Sequence, residues 1–197
     1  MRMAERGRTM RGLGRVLAVS VAVTEGILLL EGRWQEAIPL HLCSVSAIAA
    51  LALAWGTKGW ALDFLWYLGM PGALLALLFP APAVSRYQAL LNLSYMATHA
   101  LILVIPAYAL RRGQRVRRGR IRHMLLTVHV LALAAVAANS ILGTDYMFLM
   151  APPYGTPLCV PYRMGYGWYM LSLEGLVLAM LCITGRLMPA LWPKLFL

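Results

Sequence analysis

Charge is scarce in this chain. Asp, Glu, Lys and Arg make up 13% of its 197 residues, and the acidic ones number only 7, against about 25% charged residues in an ordinary soluble domain. So little charge cannot cover a water-facing surface, which excludes a soluble globular fold. Cysteine is scarce as well. Cys43, Cys159 and Cys182 are odd in number and scattered along the chain, which argues against a disulfide framework. No internal repeat, low-complexity tract or polar linker interrupts the sequence, so a single domain over residues 1–197 is expected.

Apolar sequence fills the space instead. Hydrophobic residues account for 61% of the chain and the mean hydropathy is +0.70. Six stretches, about 15–31, 38–56, 60–79, 90–110, 124–143 and 167–188, are long and apolar enough to cross a bilayer, at roughly 17 to 25 residues each. The expected fold class is all-α: a six-helix transmembrane bundle. The first stretch follows a basic segment and resembles a signal peptide. It has no small-x-small cleavage pattern, and Glu25 interrupts its apolar run, so it reads as a retained helix.

The net charge of +11 suggests nucleic acid as a partner only until the positions are inspected. Basic residues lie in alternate links between spans. Arg2, Arg6, Arg8, Arg11, Arg15, Lys58, the seven arginines of RRGQRVRRGRIR (111–122), Arg186 and Lys194 fall on one side, and Arg33, Arg86 and Arg163 on the other. By the positive-inside rule this bias predicts both termini in the cytoplasm. The arginine-rich link reads as a topology anchor or as a surface for anionic lipid or a partner, and nucleic acid is not expected.

Ionisable groups within spans cost a few kcal/mol each, so each needs a partner, water or a function. At about 1.5 Å per residue, Cys43 lies roughly 8 Å below the outer end of its span, Glu25 about 9 Å, Glu174 about 10 Å and His99 about 14 Å, with Asn139 within about two turns of its exit. Five helices thus place a polar group at similar height, predicting a shared cavity in the outer half. His129 reads as alone and in the opposite leaflet.

His41 and Cys43 stand about 200° apart around a helix. With Pro39 in the first turn, Cys43 is expected one turn in and facing the bundle, with His41 at the wet interface. A helix N-terminus and a nearby imidazolium both favour thiolate, and a histidine at the same depth, His99, would complete an activated nucleophile. Each residue also has a plainer reading: buried cysteine packs as a small hydrophobe, and Thr98 or Tyr95 lies near enough to hydrogen-bond His99. The link GTDYMFLMAPPYGTPLCVPYRMGYG, rich in Gly, Pro and Tyr, predicts an ordered cap at headgroup level.

The succession IPLHLCSVSAI, WYLGMPGALLALLFP, THALIL, NSILGTDYMFL and WYMLSLE resembles the YwaF-like bacterial integral membrane proteins, relatives of the eukaryotic transmembrane protein 164. The resemblance covers nearly all of Ile38 to Glu174. It implies a bacterial cytoplasmic membrane protein that moves acyl groups between membrane phospholipids and lysolipids, with Cys43 as nucleophile and His99 as general base. Asn139, Tyr146 or amide groups of the cap would then stabilise the oxyanion, and Glu174 or Glu25 would orient His99 or His41. The family's loop more often reads GTNY, where Asp145 stands here. Two other classes remain open on these residues: a small-molecule-binding module or transporter using the same pocket, and a metal or haem site built from His41, His99 and His129. Depth counts against the second, and no cofactor is expected.

Overall fold

The computed structural model describes residues 2–57, 59–80 and 84–195, with side chains from Gly7 to Lys194. Lys58, one of the basic residues assigned to the cytoplasmic side, lies outside the described residues, as do the side chains of Arg2 and Arg6. The described chain is helical, without strands. Its elements are α1 (Arg2–Leu30), α2 (Leu42–Ala54), α3 (Trp60–Leu78), α4 (Gln88–Arg111), α5 (Ile121–Leu142), the short α6 (Cys159–Met164) and α7 (Tyr166–Leu191).

Five of these are long and apolar enough to cross a membrane. The second expected span is not. Its helix has 13 residues, about 20 Å of rise against a hydrocarbon core of roughly 30 Å. Proline accounts for the difference: Pro39 disfavours helix at Ile38, Ile38 and His41 take extended ψ of 127° and 146°, and the chain turns at Pro39, where Leu40 N–H returns to Ile38 C=O at 2.8 Å. Pro39 therefore precedes the helix rather than opening it.

Glycine closes three helices in the same way. After α1, α2 and α4, Gly32, Gly56 and Gly113 take positive φ of 73°, 107° and 81°, and the next residue's N–H returns to the carbonyl five back, as in Thr57 to Ala52 (2.9 Å) and Gln114 to Ala109 (3.2 Å). These are Schellman closures, in which a residue without Cβ costs nothing.

Two other helices carry a π-type turn, Leu65–Gly69 in α3 and Ile183–Leu187 in α7. Each is followed two residues later by proline, Pro71 or Pro189. A proline lacks the N–H that the next carbonyl in π register would need. In α7 that carbonyl belongs to Thr184, and the buried Trp66 indole N–H from α3 donates to it at 3.0 Å. The distortion of one helix thus becomes its attachment to another.

Side-chain contacts sort the helix ends into two groups. At one end Glu31 accepts from the Ser85 hydroxyl (2.6 Å) and Arg86 N–H (3.1 Å), while Arg33 donates to Val84 C=O (3.0 Å). At the other, Arg117 Nε and N–H donate to fully buried Asp63 at 2.6 and 3.0 Å, and the Tyr67 hydroxyl donates to Arg117 C=O at 3.0 Å. The chain therefore runs up and down, with the start of α1, the α4–α5 link and the end of α7 together at the basic end. Between the ends, Leu17, Leu53, Leu62, Tyr67, Ile102 and Ile105 form the dry core. Along α1 and α4, Ser20 donates to Ser94 C=O and pairs with the Thr98 hydroxyl, and Thr24 pairs with the Ser94 hydroxyl, each at 2.8 Å.

Candidate functional site

IPLHLC and GTDYMFL, 106 residues apart at their point of contact, meet at the outer end. Gly143 closes α5 with φ of 66°, turning the chain back over the helix. Buried Asn139 then grips the residues of that turn: its Oδ1 accepts the Tyr146 N–H (2.7 Å) and Thr144 hydroxyl (3.1 Å), and its Nδ2 donates to Tyr146 C=O (3.2 Å). Asp145 accepts the N–H groups of Met150 (2.8 Å) and Ala151 (3.1 Å). From α7, the Tyr166 hydroxyl donates to Leu149 C=O at 3.0 Å and that of Tyr169 to Phe148 C=O. The Tyr146 hydroxyl donates to Gln35 C=O in the α1–α2 link.

Met147 and Phe148 hold φ of 59° and 55°, a region that costs side-chain-bearing residues free energy and persists where the surroundings over-determine it. The hydrogen bonds from Asn139, Asp145, Tyr166 and Tyr169 do so. Asn139 and Tyr146, the expected oxyanion donors, thereby have their hydrogen-bonding groups engaged in building the cap. Sequence reasoning missed the parts of Gln35, Tyr166 and Tyr169; the three-residue spacing of the two tyrosines along one helix face was the available signal.

His41 caps α2 and its ring lies under the loop. Its Nδ1 accepts the Met147 N–H at 3.2 Å, and the rings of Tyr146 and Phe148 stand 5.4 and 5.5 Å away. An amide N–H only donates, so Nδ1 carries a lone pair and the neutral ring bears its proton on Nε2. Desolvation under these rings pushes the His41 pKa below the usual histidine value, against the opposing charges of Asp145 and Glu36. The ring expected at a wet interface is instead the latch of the cap.

Cys43 is the second residue of α2, inside the first turn rather than one turn along. It stands in the half-buried first turn of α2, among amides that have no carbonyl four residues back to bond. Its height follows from a close approach lower down. A Cβ on Gly14 would stand 2.7 Å from Ala54 Cβ, so α1 and α2 nearly touch there. Counting up eleven residues on each helix, 14 to 25 and 43 to 54, gives about 16 Å and just over three turns. That count puts Glu25 and Cys43 at about the same level. Glu25 Oε2 is buried without a hydrogen-bond partner among the described residues.

His99, 3% exposed, donates from Nδ1 to Tyr95 C=O at 2.8 Å, with the Tyr95 ring 4.1 Å away. A carbonyl only accepts, so the neutral ring carries its lone pair on Nε2. The Tyr95 hydroxyl donates to Ala76 C=O at 3.0 Å, and Leu42 Cδ2 lies 3.4 Å from the position of a Cβ on Gly72. Four residues separate 72 from 76 on α3 and 95 from 99 on antiparallel α4. His99 thus comes within about one turn of the level of Leu42 and Cys43.

Glu174 stands apart from this group. Its Oε2 is 3.3 Å from His129 Nε2, both side chains about half exposed at 44% and 48%, and His129 Nδ1 bonds Leu125 C=O. The two residues placed in opposite leaflets by depth are neighbours across α5 and α7. Among the described residues no group of three or more His, Cys, Asp and Glu is placed to hold a metal.

Comparison with known proteins places this arrangement. No curated protein sequence and no solved structure matches the chain. The profile of the TMEM164 family matches residues 2–184, which takes in α1, the α2 entry with His41 and Cys43, His99, the cap and most of α7. On that near-complete match, the chain is a member of the TMEM164 family.

Proposed function

We propose that this membrane protein is a lipid acyltransferase or acyl hydrolase, residing in a bacterial cytoplasmic membrane with both termini and the arginine-rich end on the cytoplasmic side. One feature supports the reading: His99 is buried, bonds Tyr95 C=O through Nδ1 so that Nε2 of the neutral ring is a base, and by residue counting comes within about one turn of the level of Cys43. Family membership and the charge bias between links support the rest.

In this reading His99 Nε2 takes the Cys43 thiol proton, and the thiolate attacks the ester carbonyl of a phospholipid. First-turn amides of α2 at Cys43 and Ser44 stabilise the oxyanion, replacing the groups engaged in the cap. Collapse expels the lysolipid alkoxide, which recovers the proton from His99 and leaves an acyl thioester on Cys43. A lysolipid hydroxyl or water then gives its proton to His99, attacks the thioester and takes the acyl group, and the sulfur is reprotonated. Glu25, level with Cys43, would orient or charge the pair. Glu174, occupied with His129, has no part.

The test is labelling of purified protein with a lipid-like, thiol-directed acyl probe, followed by peptide mapping. Label is expected on Cys43, absent in Cys43→Ala and at least tenfold slower in His99→Ala, with Cys159 and the exposed Cys182 unaffected by the histidine. Equal labelling of Cys43 with and without His99 would refute the pair. Lipid binding that is unchanged in Cys43→Ala, with no acyl transfer by the parent protein, would leave a binding module or carrier as the better account.

A further inference from the structure

At the basic end, opposite the cap, α1, α2 and α4 border an open cleft of about 430 Å³, within the size range of small-ligand sites. Gly7, Met10 and Arg11 line it from α1, Leu53 to Gly56 from α2, and Tyr108, Arg112 and Gln114 from α4 and its closing turn. The Arg112 guanidinium lies over the Tyr108 ring, 4.4 Å from its centroid, and donates to the Tyr108 hydroxyl. That fixes one face of the fork and leaves its other N–H groups directed elsewhere.

No described carboxylate balances this charge. Glu31 and Glu36 pair with Arg33, Asp63 with Arg117 and Glu174 with His129. Glu25 stands level with Cys43, about 16 Å up the helix, and Asp145 bonds amides in the cap. Two helix C-termini, those of α2 and α4, border the cleft, and each contributes about half a negative charge. Arg11 and Arg112 supply two full positive ones, so the described lining is cationic. Trp55, 54% exposed, adds an amphipathic ring of the kind that settles at headgroup level.

We infer that this cleft binds a phosphate anion: Arg112 and Arg11 clamp its oxygens, and Gln114 adds a hydrogen bond. The phosphate comes from an anionic lipid headgroup whose chains continue along the apolar helix faces, or from a free phosphate. The site is separate from Cys43 and stands whether or not Cys43 acts as a nucleophile.

Arginine-directed labelling with phenylglyoxal, mapped by mass spectrometry on the full-length protein in nanodiscs, tests it. In discs containing phosphatidylglycerol, modification of Arg11 and Arg112 is expected to slow at least fivefold relative to pure phosphatidylcholine discs, while exposed Arg115 and Arg118 change less than twofold. Millimolar inorganic phosphate added to phosphatidylcholine discs separates the sources: equal protection assigns the site to free phosphate, and no protection assigns it to the lipid headgroup. Retention of phosphatidylglycerol by purified Arg11→Gln/Arg112→Gln should fall about tenfold, and that by Arg115→Gln/Arg118→Gln should match the parent. Absence of protection by either ligand, or equal protection of all four arginines, overturns the proposal.

Discussion

α3 and α4 bury 56% and 44% of their most apolar stretch inside the protein, whereas α5 and α7 bury 17% each. The two pairs are about equally hydrophobic, so hydrophobicity does not separate them. In a bilayer, lipid tails solvate an apolar helix as well as a neighbouring helix does, and association depends on close packing and hydrogen bonds. α3 and α4 have close packing: the π turn and Gly69 let α3 approach Ser46 of α2, and the Ser/Thr ladder ties α4 to α1. α5 and α7 have one close approach, where Gly185 meets Ile121 and Tyr67, and are otherwise held by hydrogen bonds, through Trp66 to Thr184 at that end and the cap at the other. One half of the molecule is packed together and the other is tethered.

The largest expected effect breaks the packed half. Arg117→Ala leaves the fully buried Asp63 carboxylate without its cation, and loss of one partner from a buried pair costs about 3 kcal/mol. Thermal unfolding in detergent should show it as a lowered midpoint for the whole protein, while Arg118→Ala, exposed nearby, should not. An unchanged midpoint would mean that the α4–α5 link is not part of the packed unit.

Asn139→Ala should loosen only the tethered half. It removes three hydrogen bonds from Thr144 and Tyr146, about 2 kcal/mol at roughly 1 kcal/mol for each bond net of water competition, part of it regained by solvation. Protease cutting between residues 144 and 151 should accelerate more than tenfold with little change in the global midpoint. A matching drop in the midpoint would show that cap and core melt as one.

The smallest effect is set by pH. His41 has a folded-state pKa below its unfolded one, so its contribution is fully present above the unfolded value, near 6.5, and is lost as pH falls through the folded value. Protonation at Nδ1 also removes the acceptor for Met147 N–H. The protection factor of that amide, its exchange rate relative to the intrinsic rate at each pH, should fall below pH 6 in the parent protein. In His41→Ala it should be low and constant across the same range, and a persisting fall with pH there would remove His41 from the latch.

The candidate site was partly legible from residues alone. Cys43, His99 and Glu25 stand out because each is expensive in hydrocarbon, and counting residues predicts similar depths for them. The role of His41 was not legible, since a ring that accepts from Met147 is set by a contact across 106 residues. Nor was Glu174 with His129: estimates of depth assume straight, untilted helices, and the 3.3 Å contact shows how far that assumption drifts.

Sequence by itself determined the helical class, the five long spans and several of their ends, because length, apolarity, glycine and proline act locally on the backbone. Pro39 even contains the reason for the short α2, once the extended preference of its neighbour is applied. Tertiary structure decided which polar groups have their hydrogen bonds satisfied by the fold and which are left over. Asn139 and Tyr146 are committed to the cap and Asp63 to Arg117, while Glu25 Oε2 is left without a partner among the described residues. That division obeys a physical rule: in a medium without water each polar atom must find its partner within the protein, and the partners come from helices distant in the chain.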